Sequence, residues 1–501
     1  MNINRLLKSD KIIYFWLFLI AFAVVFSSTF FPVNFERMHV DSSVYITITK
    51  QIIRGYLPYK DFVDNKGPLI YFMNLPGLYF GGIAGIWATE LILFYITVFF
   101  AWKTALLFTT RKKALYAVLL SSIAILNFFF VNAGTEEYSL PFLTISFYIF
   151  SKYYFSEEHN VKYIELIILG ICFACANLIR LNMFPLWAGF CTVILLESVI
   201  KKRFINILKY ISGFLAGIIL VVIPVFLYLK FNNIFDLFVE QVIFRGASRG
   251  FDKTLKDLAK VFLLTLRNDY SFLPLLFIVY LVIVKHKMEH IFYYAGFLFS
   301  FLLMVLFFSF ISDDKHYNLV LFPYFIPVFA YLTDFLYKIF SNIYKKRTAI
   351  ILLSLFFCFV FSDEIVNYLY DIKKLFVSDS TGKMLVRAGK MIDDNTKPGD
   401  LIISLGYDAY IYPFTKRDIA SRYFYQSMFI SIPGAREEFV SDILTKKPAI
   451  IALLTAIEGT GTFFDYWHKE IIEMLSNEYS LLSGENGYNL YIRNNRPQRT
   501  L

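Results

Sequence analysis

A polar loop at residues 39–68 follows the first apolar segment of the chain and carries three aspartates and four basic residues. A carboxylate in such a loop can take a proton from an attacking hydroxyl group, and a nearby cation can stabilise an anionic leaving group. Asp41 stands directly before a helical pattern. It is therefore either an N-cap or a general base that the same helix end holds in place.

Two further acids and a lysine, Asp61, Asp64 and Lys66, lie in a short non-helical stretch. One interpretation is a solvated turn whose charges compensate one another. The other is a phosphate and sugar site, in which Lys66 faces an anionic leaving group and a carboxylate hydrogen-bonds hydroxyl groups. Pro68 begins a new apolar helix, which would hold Lys66 near the bilayer surface.

A helix is predicted between Asp41 and this stretch. Apolar side chains recur at helical spacing over residues 42–54, with polar side chains on the opposite face. Gly55 and Pro58 mark its end. The pattern predicts an amphipathic helix that lies on the membrane surface and positions Asp41.

The composition indicates a polytopic membrane protein, with 57% hydrophobic residues, mean hydropathy +0.57 and 58 Phe. The net charge of +10 comes from short basic clusters between apolar runs, which argues against a nucleic-acid-binding face. All four cysteines lie in apolar segments, and the CxxC of Cys172 and Cys175 is assigned to packing.

Hydropathy predicts about eleven transmembrane helices, and loop charge sets their orientation. The predicted spans are 12–32, 83–108, 114–131, 138–155, 163–177, 183–200, 205–230, 270–285, 290–311, 317–340 and 348–370. The basic clusters at 5–11, 111–113, 201–203, 285–287 and 345–347 all fall on one side. That side, with the N-terminus, is predicted to be cytoplasmic, so the polar loops and the C-terminal tail lie outside.

The chain changes character after residue 370, where no run is long enough to cross a membrane. Residues 400–406, 448–454 and 488–494 are predicted strands, and 437–446 and 466–477 are predicted helices. Two domains follow: a membrane domain over 1–370, with its catalytic external loop at 33–82, and an extracytoplasmic α/β domain over 371–501.

The motifs of the first loop resemble a known family. The pattern D-x-x-x-Y, then G-x-x-P-Y-x-D-x-x-D-x-K-x-P, is similar to the first external loop of the GT-C superfamily of membrane glycosyltransferases. The likeness extends to the bacterial branch related to protein O-mannosyltransferases and lipid A aminoarabinose transferases. A second block at 400–425, a strand ending in Gly followed by an aromatic pair and S-R-Y, resembles their external domain. The first-loop pattern is carried by Asp41, Tyr45, Gly55, Pro58, Tyr59, Asp61, Asp64, Lys66 and Pro68.

The resemblance implies an inverting transfer of a sugar from a polyprenyl phosphate to an external glycan, lipid or protein acceptor in the bacterial plasma membrane, as part of cell-envelope glycan modification. It implies Asp41 as general base. Many relatives have a second acid directly after it, where this chain has Ser42, so Asp61 or Asp64 would supply any second carboxylate. No cofactor is assigned; the external acids could hold a divalent metal, but no His/Asp spacing indicates one. The predicted substrate-binding residues are Tyr45, Tyr59, Asp61, Asp64, Lys66, Glu137, Arg180, Lys315 and His316.

Four of those residues lie outside the first loop, and each has a simpler interpretation. Glu137 would line the cavity or act as a helix N-terminal acid. Arg180 is a functional intramembrane cation or an interfacial anchor. Lys315 and His316, in the loop 312–317, would contact the lipid phosphate or give ordinary loop-end polarity.

Two other function classes stay open. A lipid-linked sugar flippase or transporter would show inverted repeats and helices broken near the midplane, with buried charges. A polysaccharide polymerase would have its largest functional loop between late spans rather than after the first.

Overall fold

A computed structural model of the chain describes residues 3–32, 40–126, 133–156, 161–248, 254–267, 272–283, 290–309, 315–376, 381–406, 409–425, 432–454, 463–484 and 488–494. The first helices are α1 Ile3–Phe26, α2 Val40–Ile53, α3 Leu69–Ala105, α4 Arg111–Ala124, α5 Thr135–Phe155, α6 Tyr163–Ile179, α7 Pro185–Ile200 and α8 Phe204–Phe231. The next are α9 Phe235–Phe238, a π-helix Val239–Phe244, α10 Arg245–Ser248, α11 Leu255–Arg267, α12 Leu273–Ile283, α13 Ile291–Ser309, a 3₁₀ helix Lys315–Leu321, α14 Phe322–Ile343, α15 Lys346–Val360 and α16 Ser362–Leu375. The C-terminal part holds α17 Thr381–Asp394, β1 Leu401–Leu405, a 3₁₀ helix Tyr412–Phe414, β2 Asp418–Ile419, α18 Ala435–Lys446, β3 Ile450–Leu454, α19 Phe463–Glu478, β4 Tyr479–Ser483 and β5 Tyr488–Arg493.

Within the described ranges, five helices are long and apolar enough to cross a membrane. They are Leu69–Ala105, Leu181–Ile200, Phe204–Phe231, Ile291–Phe308 and His316–Ile343. A sixth is added if Thr348–Val360 and Ser362–Lys373, bent by 72°, form one span. The mostly helical fold with a small C-terminal sheet is confirmed, and the count of eleven stays a prediction.

α3 begins right after Pro68, as predicted, but it starts well before the expected span at 83. The chain stays helical through residues 69–81 and breaks at Gly82, whose φ of 58° is left-handed. The helical part before Gly82 therefore follows the first loop directly and fixes its exit direction.

α6 and α8 are held together by glycines. A Cβ on Gly170 would overlap the carbonyl oxygen of Phe214, and a Cβ on Gly217 would overlap that of Ile167. Small residues of this kind let two membrane helices approach to backbone contact. This close packing fixes α6, whose last turn supports the first loop.

The C-terminal sheet has the strand order β2-β1-β3-β5-β4. β2, β1 and β3 are parallel, and β5 is antiparallel to both β3 and β4. The three predicted strands and two predicted helices are confirmed as β1, β3, β5, α18 and α19. The sequence did not predict β2, which has only two residues, or β4, whose middle residues are exposed.

The prediction for α2 is right about the helix and wrong about its polar face. Ser43, Thr47 and Gln51 are buried, so this face does not lie open on a membrane surface. It packs against the C-terminal part of the chain, where Arg54 pairs with Asp418 at 2.8 Å. Polar side chains on one face of a helix identify a hydrophilic neighbour, but they do not say whether it is water or protein.

Lys50 joins α2 to the C-terminal part of the chain through three hydrogen bonds. Its Nζ donates to the backbone carbonyls of Tyr412 at 3.3 Å, Pro413 at 2.8 Å and Thr415 at 2.5 Å. Burial lowers the pKa of Lys50 to about 8. The three carbonyls use all the donors of the ammonium group, so the side chain fixes the distance between the two elements.

We expect Gly217→Ala to destabilise the protein, because the added Cβ meets the Ile167 carbonyl and the backbone of Gly170. Overpacking of this kind costs about 1–3 kcal/mol, which lowers the melting temperature by a few degrees. Thermal unfolding of the purified protein in detergent measures the change. Gly81→Ala is the matched control, since a Cβ there has no described atom within 4 Å. Equal melting temperatures of the two variants would contradict close α6–α8 packing.

Candidate active site in the first loop

Asp41 lies in the first turn of α2 and is half-buried. The helix begins two residues earlier than predicted, a difference within the usual uncertainty of helix ends. The positive end of the helix dipole favours the carboxylate at this position. The charge on Asp41 also raises the pKa of Tyr45 and of Asp64, adding to the larger effect of burial on each. Asp41 and Asp64, far apart in sequence, therefore belong to one electrostatic cluster.

Asp64 is the most enclosed of the first-loop acids that the structure describes, being 2% exposed. Its Oδ2 accepts a hydrogen bond from Tyr71 Oη at 2.6 Å. Its Oδ1 accepts from Tyr425 Oη at 3.3 Å and from the Asn65 amide at 2.7 Å. Burial raises the pKa of Asp64, and the opposing charge of Lys66 lowers it. The first loop, α3 and the C-terminal part of the chain thus meet at one carboxylate.

Tyr59 and Gln241 fix the backbone around Lys66. Tyr59 has a left-handed φ of 66°, and its hydroxyl donates to the Lys66 carbonyl at 2.8 Å. Gln241 donates to the Tyr59 carbonyl at 2.7 Å and accepts from the Asp64 amide at 3.2 Å. A non-glycine residue keeps this strained conformation only where its surroundings enforce it. Tyr59, predicted to bind substrate, is fully buried here and holds the loop in shape.

Asp61 lies in a turn that it forms with Leu57. Its Oδ2 accepts from the Leu57 amide at 2.8 Å, and its own amide donates to the Leu57 carbonyl at 3.0 Å. For Asp61, this geometry agrees with the interpretation of its stretch of sequence as a turn. A substrate contact of Asp61 stays a prediction.

Gly67 joins the end of the first loop to the end of α6. Its amide donates to the Ile179 carbonyl at 3.2 Å, and a Cβ at this position would overlap the Leu178 carbonyl. Only glycine allows such a close backbone approach. The contact holds the backbone just after Lys66 against the end of α6, which Arg180 follows directly.

Arg180 is a nearly buried cation at the meeting point of several elements. It forms an ion pair with Glu136 in the first turn of α5, and Thr135 Oγ1 lies 3.4 Å from its Nη1. Its guanidinium also lies over the Tyr317 ring, 4.6 Å from the centroid. Burial raises the pKa of Tyr45, and Arg180 acts on it in the opposite direction. The guanidinium charge therefore extends to the cluster around Asp41.

The remaining predicted site residues are Glu137, Lys315 and His316. Glu137 accepts from the Gly134 amide at 3.2 Å, as a helix N-terminal acid does, while its neighbour Glu136 faces Arg180. Lys315 opens a 3₁₀ helix, and the His316 ring is 4.1 Å from the Tyr317 ring. Residues 312–314 of the same predicted loop lie outside the described residues. Direct substrate contacts of Glu137, Lys315 and His316 stay predictions.

Sequence reasoning did not assign roles to Tyr71, Tyr425 and Gln241. Tyr71 looks like an ordinary member of an apolar helix, and Gln241 lies in a segment without a pattern. Tyr425 was inside the resembling block 400–425, which was the one available signal. In the part of the chain that the structure describes, no group of three or more His, Cys, Asp or Glu is placed to hold a metal ion.

Comparisons with known proteins show the fold. No family model and no curated protein sequence matches the chain. The structure is similar to ArnT from Cupriavidus metallidurans bound to undecaprenyl phosphate, with TM-score 0.61 and 10% identity over 95% of this chain and 97% of that one. The apo state of that protein gives TM-score 0.59 at 11% identity over the same shares. The Archaeoglobus fulgidus oligosaccharyltransferase in complex with Zn and sulfate gives 0.52 at 11%, over 96% and 73% of the two chains. The chain therefore shares the fold of these two membrane proteins over nearly its whole length, in agreement with the sequence resemblance.

We expect Arg180→Gln to destabilise the protein strongly, because it leaves the buried Glu136 carboxylate without its cation. Breaking one partner of such a pair costs about 3–5 kcal/mol. The double variant Arg180→Gln/Glu136→Gln should recover most of the loss, since no charge is then left buried. Denaturant unfolding of the purified protein measures both. If the losses in free energy of unfolding of the two single variants simply add in the double variant, Arg180 and Glu136 do not form a stabilising ion pair.

A raised pKa of Asp64 predicts a pH-dependent stability. The folded protein then binds the Asp64 proton more tightly than the unfolded chain, so stability falls as pH rises from the ordinary carboxyl range through the folded pKa. Asp64→Asn should remove this part of the decrease in melting temperature as pH rises above the ordinary carboxyl range. Asp236→Asn, at a side chain that is 95% exposed, is the matched control. If melting temperature falls with pH as steeply in Asp64→Asn as in the wild type, the raised pKa of Asp64 is contradicted.

Proposed function

We propose that the protein is an inverting glycosyltransferase that moves a sugar from a polyprenyl phosphate to an acceptor hydroxyl on the external face of a bacterial plasma membrane. The observation that carries this proposal is the convergence of Asp41, Asp64, Lys66 and Arg180 around the first loop. The shared fold supports it, because ArnT from Cupriavidus metallidurans was solved bound to undecaprenyl phosphate.

In this mechanism Asp41 is the general base. It takes the proton of the acceptor hydroxyl while the hydroxyl oxygen attacks the anomeric carbon. The bond from that carbon to the phosphate oxygen breaks, and the lipid phosphate leaves with the electron pair from the opposite face. The configuration at carbon is therefore inverted.

Cations near the first loop would stabilise the leaving phosphate. A phosphodiester leaving group needs charge stabilisation more than a proton, so one base and nearby cations suffice. Lys66 is the first candidate, because it opposes the charge of Asp64 and its neighbour Gly67 is hydrogen-bonded to the end of α6, which Arg180 follows. Arg180 contributes a charge that Glu136 partly compensates. His316, beside the Tyr317 ring under that guanidinium, is a further candidate, with Lys315.

The proposal includes an arrangement in the membrane. It has about eleven spans, a cytoplasmic N-terminus and an extracytoplasmic domain over 371–501. The contacts of Lys50 and Arg54 with the C-terminal part support this arrangement, because two parts in direct contact lie on one side of the bilayer. The acceptor would be a glycan, lipid or protein of the cell envelope.

We expect Asp41→Asn to fold normally and to lose transfer by about 100- to 10,000-fold, the usual effect of removing a general base. The measurement is release of lipid phosphate and formation of glycosylated product from radiolabelled polyprenyl-phosphate sugars in membranes. Asp236→Asn, an exposed carboxylate outside the cluster, is the control and should keep wild-type activity.

The same assay separates the other function classes. Near-native transfer by Asp41→Asn would remove Asp41 from the role of base. Movement of the lipid across the bilayer without release of lipid phosphate would replace the transferase proposal with a flippase or transporter.

A further inference from the structure

α16 leaves the apolar helix before it at a sharp angle. The segments Thr348–Val360 and Ser362–Lys373 are bent by 72° at the buried Phe361. α15 has 15 residues and is about 22 Å long. From the basic cluster 345–347 at one interface, it therefore covers most of a hydrocarbon layer that is about 30 Å thick. α16 then begins close to the opposite boundary of that layer and runs mainly along it.

One side of α16 packs on other helices of the chain. Ile365 packs against the large apolar core of the helical bundle, and the Tyr368 hydroxyl donates to the Ala23 carbonyl in the last turn of α1. Phe376, directly after α16, contacts the ring of Phe26 at the end of α1, with 6.5 Å between the centroids. These contacts fix which side of α16 faces the protein.

The rest of the α16 surface divides into an apolar stripe and a polar stripe. The apolar stripe consists of Val366, Leu369 and Tyr370, which are 62%, 56% and 59% exposed. The polar stripe consists of Asp363, Asn367 and Asp371, which are exposed and follow one another at steps of four residues. In an α-helix the two stripes lie about a third of a turn from each other and from the side packed on α1.

This division matches a helix that lies at the surface of a lipid leaflet. Crossing the hydrocarbon would bring the polar stripe into lipid, and a position in water would leave the apolar stripe uncovered. α15, directly before the bend, also exposes large apolar side chains, with Leu355 at 60% and Phe359 at 81%. Lys373 is exposed on the same side as the apolar stripe, where its stem can lie along lipid while its ammonium group reaches headgroup phosphates.

We propose that α16 is an interfacial helix whose apolar stripe is covered by phospholipid. The lipid belongs to the leaflet on the side of the C-terminal part of the chain, and the polar stripe faces water. The predicted span 348–370 then ends near Phe361. Because α16 leads into the C-terminal part, its position in the leaflet fixes the height of that part above the membrane. This placement is independent of the proposed transfer reaction.

The test compares neighbouring positions of α16 in the full-length protein, in nanodiscs of phosphatidylcholine and phosphatidylglycerol. Val366→Cys and Asn367→Cys lie one residue apart, which is about 100° around the helix. Both variants also carry Cys358→Ser, because Cys358 is exposed whereas the other three cysteines are buried or partly buried. A nitroxide spin label at each position reports collisions with oxygen, which concentrates in lipid, and with a water-soluble nickel complex. The Cys358→Ser protein is the labelling control and should take up no label.

We expect the ratio of oxygen to nickel collisions to be several-fold higher at position 366 than at 367. Leu369→Cys and Asp363→Cys form a second pair, for which the same order is expected. A melting temperature equal to that of the Cys358→Ser protein verifies the fold of each variant.

Three results would overturn the proposal. Mainly nickel collisions at 366 and 369 would mean that the apolar stripe lies in water. Few collisions with either reagent at these positions would mean that protein covers the stripe, either a second copy or another segment of this chain. Mainly oxygen collisions at all four positions would mean that α16 crosses the hydrocarbon.

Discussion

The buried carboxylate of Asp64 is the constraint on which the candidate site depends. An ionised group in so enclosed a position is costly unless hydrogen bonds and an opposite charge compensate it. The chain supplies a phenol from α3, a phenol from the C-terminal part, a backbone amide and the charge of Lys66. Each of these groups has to be in place together, so the path of the loop, the start of α3 and the position of the sheet are set jointly.

The second organising contact is the attachment of α2 to the C-terminal part of the chain. Lys50 donates to three carbonyls in and just after the 3₁₀ helix Tyr412–Phe414, and Arg54 pairs with Asp418. One apolar cluster also continues from α2 through the loop into the sheet. The helix that carries Asp41 is thereby fixed between the apolar helices and the C-terminal part of the chain. In the proposed mechanism, a base on such a fixed element needs little rearrangement to meet its substrate.

The sequence predicted those parts of this arrangement that depend on local pattern. The helix after Asp41, its end at Gly55, the start of α3 after Pro68 and the central strands follow from periodicity and turn residues. Contacts between distant segments leave no such pattern: Tyr425 meets Asp64 across 361 positions. Glu136 rather than Glu137 faces Arg180 because helix phase decides between two adjacent acids. The polar face of α2 was misread for a related reason, since its partner is protein rather than water.

The contact between Tyr425 and Asp64 has a consequence for biogenesis. Chains are made from the N-terminus, and domains generally fold as units in that order. The helices that carry Asp41, Lys66 and Arg180 are synthesised well before the strands that position Tyr425. In a nascent chain Asp64 therefore lacks its contact with Tyr425 until that later segment has been made and has packed against the first loop. In the proposed function, the cluster around Asp64 would therefore be complete only after this later segment has folded.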